Sequence, residues 1–214
     1  MESSDVRRQG RVNRVALVAV AIAALSLGVL GYVYFDKSKS SPGPATEGVG
    51  HPDDAGASAA FLNAYKVFMH PRCMNCHPSG DTPLQGDDSH PHAQNIKRGE
   101  DGKGKYALKC ANCHQDVNLP GENMPPGNPT WQLPRKGMPL VFQGKSPREL
   151  ADQLKDPKRN GGKTVEQLVE HISHDELVLW AWKPGDGRTK PPLSHEEFVK
   201  KFREWVEKGA ASPE

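Results

Sequence analysis

Two pentapeptides in this chain place two cysteines and a histidine at the same spacing. They read Cys-Met-Asn-Cys-His and Cys-Ala-Asn-Cys-His. In a C-x-x-C-H sequence both thiols can reach one porphyrin edge, where each adds to a haem vinyl group. The histidine that follows is then placed below the iron as an axial ligand. We therefore predict two covalently bound haem c groups, attached at Cys73, Cys76, Cys110 and Cys113, with His77 and His114 as proximal iron ligands.

The competing interpretation of the cysteines is a zinc site with four cysteine ligands. All four cysteines of the chain fall in the two motifs, so none remains for a disulfide or a catalytic thiol. The interval from Cys76 to Cys110 is longer than in a typical zinc ribbon, and a ribbon does not need a histidine after each second cysteine. A thioredoxin-type pair needs one C-x-x-C beside a β-α-β pattern, which is missing here. The sequence favours haem.

Amphipathic helices must position these motifs. Apolar residues recur at helical spacing over Ala59–Met69, which leads directly into the first motif, and over Ser194–Lys208, where Ser194 and Glu197 form a capping box. Further helices are predicted from Thr164 to Ile172 and after Ser146. The remaining segments are dense in proline and glycine, so we predict a mainly α, loop-rich fold without a substantial sheet, in which haem supplies apolar surface that the loops lack.

The spacing of the motifs predicts one compact two-haem domain. Only residues 78–109 separate His77 from Cys110, and no helix comparable to Ala59–Met69 precedes the second motif. Two tandem domains, each with its own helix and haem, would need more chain between the motifs.

The N-terminal part of the chain predicts a membrane anchor. Residues 15–35 carry no charge and are long enough to cross a bilayer as a helix. Four arginines precede this run, which places the N-terminus in the cytoplasm, and the run ends in aromatic residues rather than a small-residue cleavage site. The predicted organisation is a cytoplasmic segment 1–14, a transmembrane helix 15–35, a flexible linker 36–58 and a haem domain 59–214 in the bacterial periplasm.

Both ends of the predicted domain resemble the cytochrome c family, whose first and last helices cross and pack together. The stretches concerned run from Tyr65 to His77 and from Phe202 to Ala210. More specifically, the chain resembles exported dihaem cytochromes assigned as subunits of isoquinoline 1-oxidoreductase-type molybdenum hydroxylases. The matching stretches are Pro71–Pro78, Asn95–Gly99, Pro126–Trp131, Gln153–Gly162 and Leu177–Gly185. The resemblance implies a cytochrome c-like dihaem domain with a hydroxylase or other dehydrogenase as redox partner.

An iron that only carries electrons needs a sixth, distal ligand, and histidine and methionine are the candidates. His92 lies between the motifs, His171 lies beside the apolar stripe of a predicted helix, and Met138 precedes a proline as the distal methionine of cytochrome c often does. A methionine ligand would give a higher reduction potential than a second histidine. The order of preference is His92, then Met138 and His171 together, then Met124 and His174.

Other side chains are expected near the macrocycles. Three tryptophans are expected to pack against them and exclude water, and three arginines are candidates to pair with haem propionates. They are Trp131, Trp180 and Trp182, and Arg98, Arg135 and Arg188.

The charge pattern argues against a nucleic-acid partner, because the formal net charge is only +2 and no aromatic platform accompanies the basic residues. The sequence predicts an electron-transfer protein rather than an enzyme. It would be anchored in the bacterial inner membrane and would carry electrons from a dehydrogenase or hydroxylase to a respiratory acceptor such as another cytochrome. The alternative is a small dihaem peroxidase-like enzyme with one open haem iron.

Overall fold

The computed structural model describes residues 53–214. The predicted cytoplasmic segment 1–14, the predicted anchor 15–35 and residues 36–52 of the predicted linker therefore lie outside the described residues. Among residues 53–214, no helix combines the length and the apolar character that a membrane crossing requires.

The described part of the chain is a helix-rich, compact domain with long connecting loops. Its helices are α1 (Asp54–Phe68), α2 (Pro71–Met74), α3 (Pro147–Lys155), α4 (Val165–His174), α5 (Glu176–Leu179) and α6 (His195–Glu207). Short 3₁₀ turns occupy Ala93–Asn95, Cys110–Asn112 and Trp180–Trp182.

The strands in this domain are only two residues long. β1 (Leu84–Gln85) pairs antiparallel with β2 (His90–Pro91), and β3 (Gly104–Lys105) pairs antiparallel with β4 (Leu108–Lys109). The expectation of helices and loops without a substantial sheet is confirmed for residues 53–214.

The core of the domain is the contact between its first and last helices. Phe61 of α1 and Trp205 of α6 are fully buried, and their ring centroids lie 4.8 Å apart. Phe68 of α1 meets Phe198 and Phe202 of α6 edge to face, at 5.2 Å and 5.8 Å. Aromatic pairs in this geometry stabilise a core beyond the free energy of burial alone. The end helices therefore pack together, as the resemblance implies.

Helices α3, α4 and α6 begin where the sequence predicts, because a capping residue fixes the start of each. The short helices α2 and α5 were not predicted. Ser146, Thr164 and Ser194 each accept a hydrogen bond from the backbone of the third helical residue, which returns one through its own side chain. Helix α1 differs, since it begins at Asp54 rather than Ala59, with Asp53 as its N-cap. Its first turns carry alanines and no large apolar residue, so their periodicity is weak in the sequence.

Phe61→Ala should destabilise the domain strongly, whereas Leu62→Ala should not. Phe61 is fully buried against Trp205, and truncating such a side chain costs about 3–5 kcal/mol of unfolding free energy. Leu62, the next residue of α1, is 41% exposed, and its truncation should cost less than about 1 kcal/mol. Denaturant unfolding followed by circular dichroism measures both. Equal losses in the two variants would contradict this packing.

Candidate functional site

The first C-x-x-C-H motif curls around the end of α2 and faces a cavity. Pro71 opens this helix, and tight turns follow, in which the amide of Cys76 bonds the carbonyl of Cys73 and the amide of His77 bonds that of Met74. The two thiols and the imidazole line one cavity of about 960 Å³. Burial raises the pKa of Cys73 to about 12 and that of Cys76 to about 11, so both sulfurs are protonated thiols in the free chain.

The imidazole of His77 is held in one orientation. Its Nδ1 donates a hydrogen bond to the carbonyl oxygen of Leu140 at 2.7 Å, and its ring stacks on Phe142 with centroids 3.9 Å apart and planes inclined by 16°. Burial lowers the pKa of His77 to about 4, so the ring is neutral near pH 7. A neutral ring with Nδ1–H bonded carries its free lone pair on Nε2, which is the form that binds a metal.

The second motif repeats this arrangement. A 3₁₀ turn carries Cys110, and the amides of Cys113 and His114 both bond the carbonyl of Cys110. His114 Nδ1 donates to the carbonyl of Pro126 at 2.7 Å, and its ring stacks on Trp131 at 4.4 Å with an angle of 12°. Burial lowers the pKa of His114 below its usual value. Both motif histidines therefore present Nε2 in the same way.

One loop supplies both supports for both histidines. Residues 126–142 contain the two acceptor carbonyls and the two stacking rings. The loop lies close to the segment that follows the second motif. A Cβ at Gly127 would lie only 2.0 Å from the carbonyl oxygen of Val117, so this approach requires glycine. Sequence reasoning missed this loop. The sequence signal is a Met-Pro-X tripeptide that occurs twice, with Pro126 and Leu140 as X. The carbonyl oxygen of each X residue accepts the hydrogen bond from Nδ1 of one motif histidine.

Two further histidines lie near the motif histidines. His171 of α4 lines the same cavity as His77, and its Nδ1 lies 3.4 Å from the Asp175 carboxylate. His92 lies across from His114, with ring centroids 6.3 Å apart and planes inclined by 66°. Imidazoles on opposite sides of one metal have centroids roughly 6 Å apart, because each metal–nitrogen bond is about 2 Å long. The spacing of His92 and His114 fits a shared iron.

The candidate methionines are placed less favourably. Met138 lines the cavity, and Met124 is 40% exposed. Each lies two residues before the carbonyl that holds Nδ1 of its histidine, and consecutive Cα atoms are only 3.8 Å apart. The backbone of each methionine therefore lies near the Nδ1 side of its motif histidine. His174 is exposed and pairs with Glu170.

The cavity beside the first motif fits a large flat apolar group. Its walls include Phe68 of α1, Leu168 and Ile172 of α4, and Phe198 and Phe202 of α6. Its volume lies in the upper range of cofactor pockets. Across residues 53–214, no cluster of three or more histidine, cysteine or acidic side chains is arranged to hold a metal ion. A haem iron would need only two protein ligands. His92 and His114 have a spacing that fits this need, and His77 and His171 line one cavity.

The tryptophans lie in different surroundings. Trp131 backs His114 and meets Trp180 edge to face at 4.9 Å, and Trp180 also lines the cavity. Trp182 instead packs on Phe198 in the helical core. His195 is half-buried against Trp182 and bonds the carbonyl of Ile172, because α6 docks there.

The arginines expected at the propionates also have separate roles. Arg98 is buried and donates to the carbonyls of Pro134 and Gly80, so it ties loops together. Arg188 donates to the carbonyls of Pro184 and Met124. Arg135 is exposed at the cavity. Sequence reasoning missed Arg72, which is buried beside the first motif.

The chain matches no protein-family model, no curated protein and no solved structure. Its chemistry is therefore inferred from its own residues and their geometry.

Asn118→Ala should destabilise the loop around the second motif. The Asn118 side chain accepts hydrogen bonds from the amide of Gly127 and from Trp180 Nε1, and donates one to the carbonyl of Lys183, each at 2.9 Å. Three such bonds contribute about 2–4 kcal/mol to the free energy of unfolding.

Asn112→Ala is the matched control. That side chain is exposed and makes one bond, to the carbonyl of Ala107, so its loss should cost about 1 kcal/mol or less. Denaturant midpoints of the two variants, measured side by side, test this difference. A smaller loss for Asn118→Ala than for Asn112→Ala would be inconsistent with the loop contacts.

Proposed function

We propose that this protein is a c-type cytochrome that binds two haems covalently and transfers electrons. One observation carries the proposal. In each C-x-x-C-H motif the histidine is held through Nδ1 and an aromatic ring, which leaves Nε2 free. A further histidine accompanies each one: the ring centroid of His92 lies 6.3 Å from that of His114, and His171 lines the cavity of His77. Zinc ribbons and thioredoxin-type pairs have no use for such a neutral, oriented imidazole after the second cysteine.

The residues around each site have distinct tasks. When bound, haem supplies reversible one-electron cycling between ferric and ferrous iron. The four thiols fix its position, and Leu140 and Pro126 set the angle and tautomer of the proximal imidazoles. Apolar walls from α1, α4 and α6 exclude water from the first site.

We propose histidine as the distal ligand in both sites. His171 serves the site of His77, since both line one cavity and Asp175 is placed to orient the ring of His171. His92 serves the site of His114, as the 6.3 Å centroid distance supports. Met138, ranked level with His171 on sequence alone, has its backbone near the Nδ1 side of His77, so we propose it as a packing residue of the cavity. Irons with two protein ligands have no open position for peroxide, so electron transfer is favoured over the peroxidase-like alternative.

The N-terminal part of the chain bears on where the protein acts and on its redox partners. The uncharged run 15–35 supports a bacterial inner-membrane anchor with the haem domain in the periplasm. A tether would raise the effective concentration of the domain near membrane-bound partners. The proposed donor is a dehydrogenase or a molybdenum hydroxylase, and the proposed acceptor is a respiratory cytochrome.

The purified protein should hold two covalent haems. Produced in a host that matures c-type cytochromes, it should show a c-type pyridine haemochrome spectrum and the mass of the chain plus two haems after denaturation. Cys110→Ala together with Cys113→Ala should remove one of the two. Fewer than two covalent haems in the unaltered protein, or stoichiometric zinc instead, would end the proposal.

Loss of a distal histidine should open one iron. His171→Ala should convert one of the two haems from low spin to high spin and let it bind carbon monoxide, and His92→Ala should do the same to the other. Met138→Ala and Met124→Ala are the matched controls and should leave both haems low spin. Absorption and EPR spectra with added carbon monoxide measure this. Carbon monoxide or peroxide binding to the unaltered protein would instead favour the peroxidase-like enzyme.

A further inference from the structure

A buried positive charge lies directly beside the first pair of thiols. Arg72 precedes Cys73, its side chain is only 4% exposed, and it lines the same cavity as Cys73, Cys76 and His77. Taking a guanidinium out of water carries a large free-energy cost unless partners compensate for the lost hydration. The sequence places this cost at the attachment point of the proposed haem.

The partners of Arg72 neutralise its charge incompletely. One guanidinium nitrogen bonds the carboxylate of Asp87 and, at 3.2 Å, the carbonyl of Gly86. Asp87 is 39% exposed and also accepts from the amide of Thr189 at 3.1 Å, so water and a second donor share its charge. Nε of Arg72 is buried and has no acceptor within residues 53–214.

The field of Arg72 reaches the attachment sulfurs. Burial raises the pKa of Cys73 and Cys76, and the positive charge of Arg72 opposes that rise at both. At the second site the charge of Arg188 reaches His114, but this side chain is half-exposed, and solvent screens it more strongly. The two sites therefore differ in charge environment although their histidine arrangements match.

We propose that Arg72 raises the reduction potential of the haem attached at Cys73 and Cys76. This inference rests on the proposed function. Reduction adds one electron, taken from an external reductant, to a ferric site, and a nearby fixed positive charge favours the reduced form. Arg72 would act through the electrostatic field of its charge and not as a ligand of the iron.

Arg72→Gln in the two-haem protein tests the inference. In an EPR-monitored redox titration, the reduction equilibrium of one haem should shift tenfold or more towards the ferric form, a fall of about 59 mV for one electron. The other haem should shift much less. The signal that changes spin state in His171→Ala identifies the first haem. Arg148→Gln, which removes an exposed arginine on α3, should leave both potentials unchanged.

Asp87→Asn should shift the reduction potential of this haem in the direction opposite to that of Arg72→Gln. Removing the counter-charge should raise the potential of the same haem, by less than tenfold in the equilibrium constant because Asp87 is partly solvated. Arg72→Lys retains the charge and should keep the potential near that of the unaltered protein. A loop merely loosened by mutation would shift the potential in one direction in both Arg72→Gln and Asp87→Asn.

The possible results separate the two proposals. Unchanged potentials in Arg72→Gln, or a fall in Asp87→Asn, overturn the role of Arg72 while leaving a two-haem protein in place. If Arg72→Gln takes up no haem, the sign of the shift in Asp87→Asn decides. An unaltered protein without two covalent haems overturns the proposed function itself.

Discussion

The domain is organised around one hydrogen bond made twice, from Nδ1 of a motif histidine to a backbone carbonyl. This bond fixes the tautomer and the ring angle, and it leaves Nε2 free. The acceptors and the stacking rings lie in one loop, residues 126–142, so that loop must pass both histidines. The chain between the motifs and α3 is therefore extended and rich in proline, because its carbonyls must face side chains rather than each other.

Local signals predicted the helices well and the supports of the site poorly. Ser146, Thr164 and Ser194 mark helix starts by chemistry confined to four residues, and the structure uses all three. The acceptor for His77 lies 63 residues further along the chain, in a loop with no periodicity. Only the packed domain shows that Leu140 and not a neighbouring carbonyl reaches Nδ1.

The choice between His171 and Met138 illustrates the same limit. Both residues line the cavity, and the sequence ranks them level, since each has a plausible flanking pattern. What separates them is the position that each takes in the packed cavity, a property of the folded domain and not of composition. Arg72 was overlooked for a related reason. An arginine between a proline and a cysteine reads as an exposed residue until α2 turns it inward.

The four thiols differ in their surroundings, and this difference concerns how the protein is made. Cys113 is exposed, Cys110 is buried, and Cys73 and Cys76 are partly buried in a cavity whose walls include Phe68 of the first helix and Phe198 of the last. In the proposed two-haem protein, a group attached at the first motif would therefore contact both α1 and α6. A group that binds only the folded arrangement stabilises it, so attachment at this motif and docking of the last helix would each favour the other.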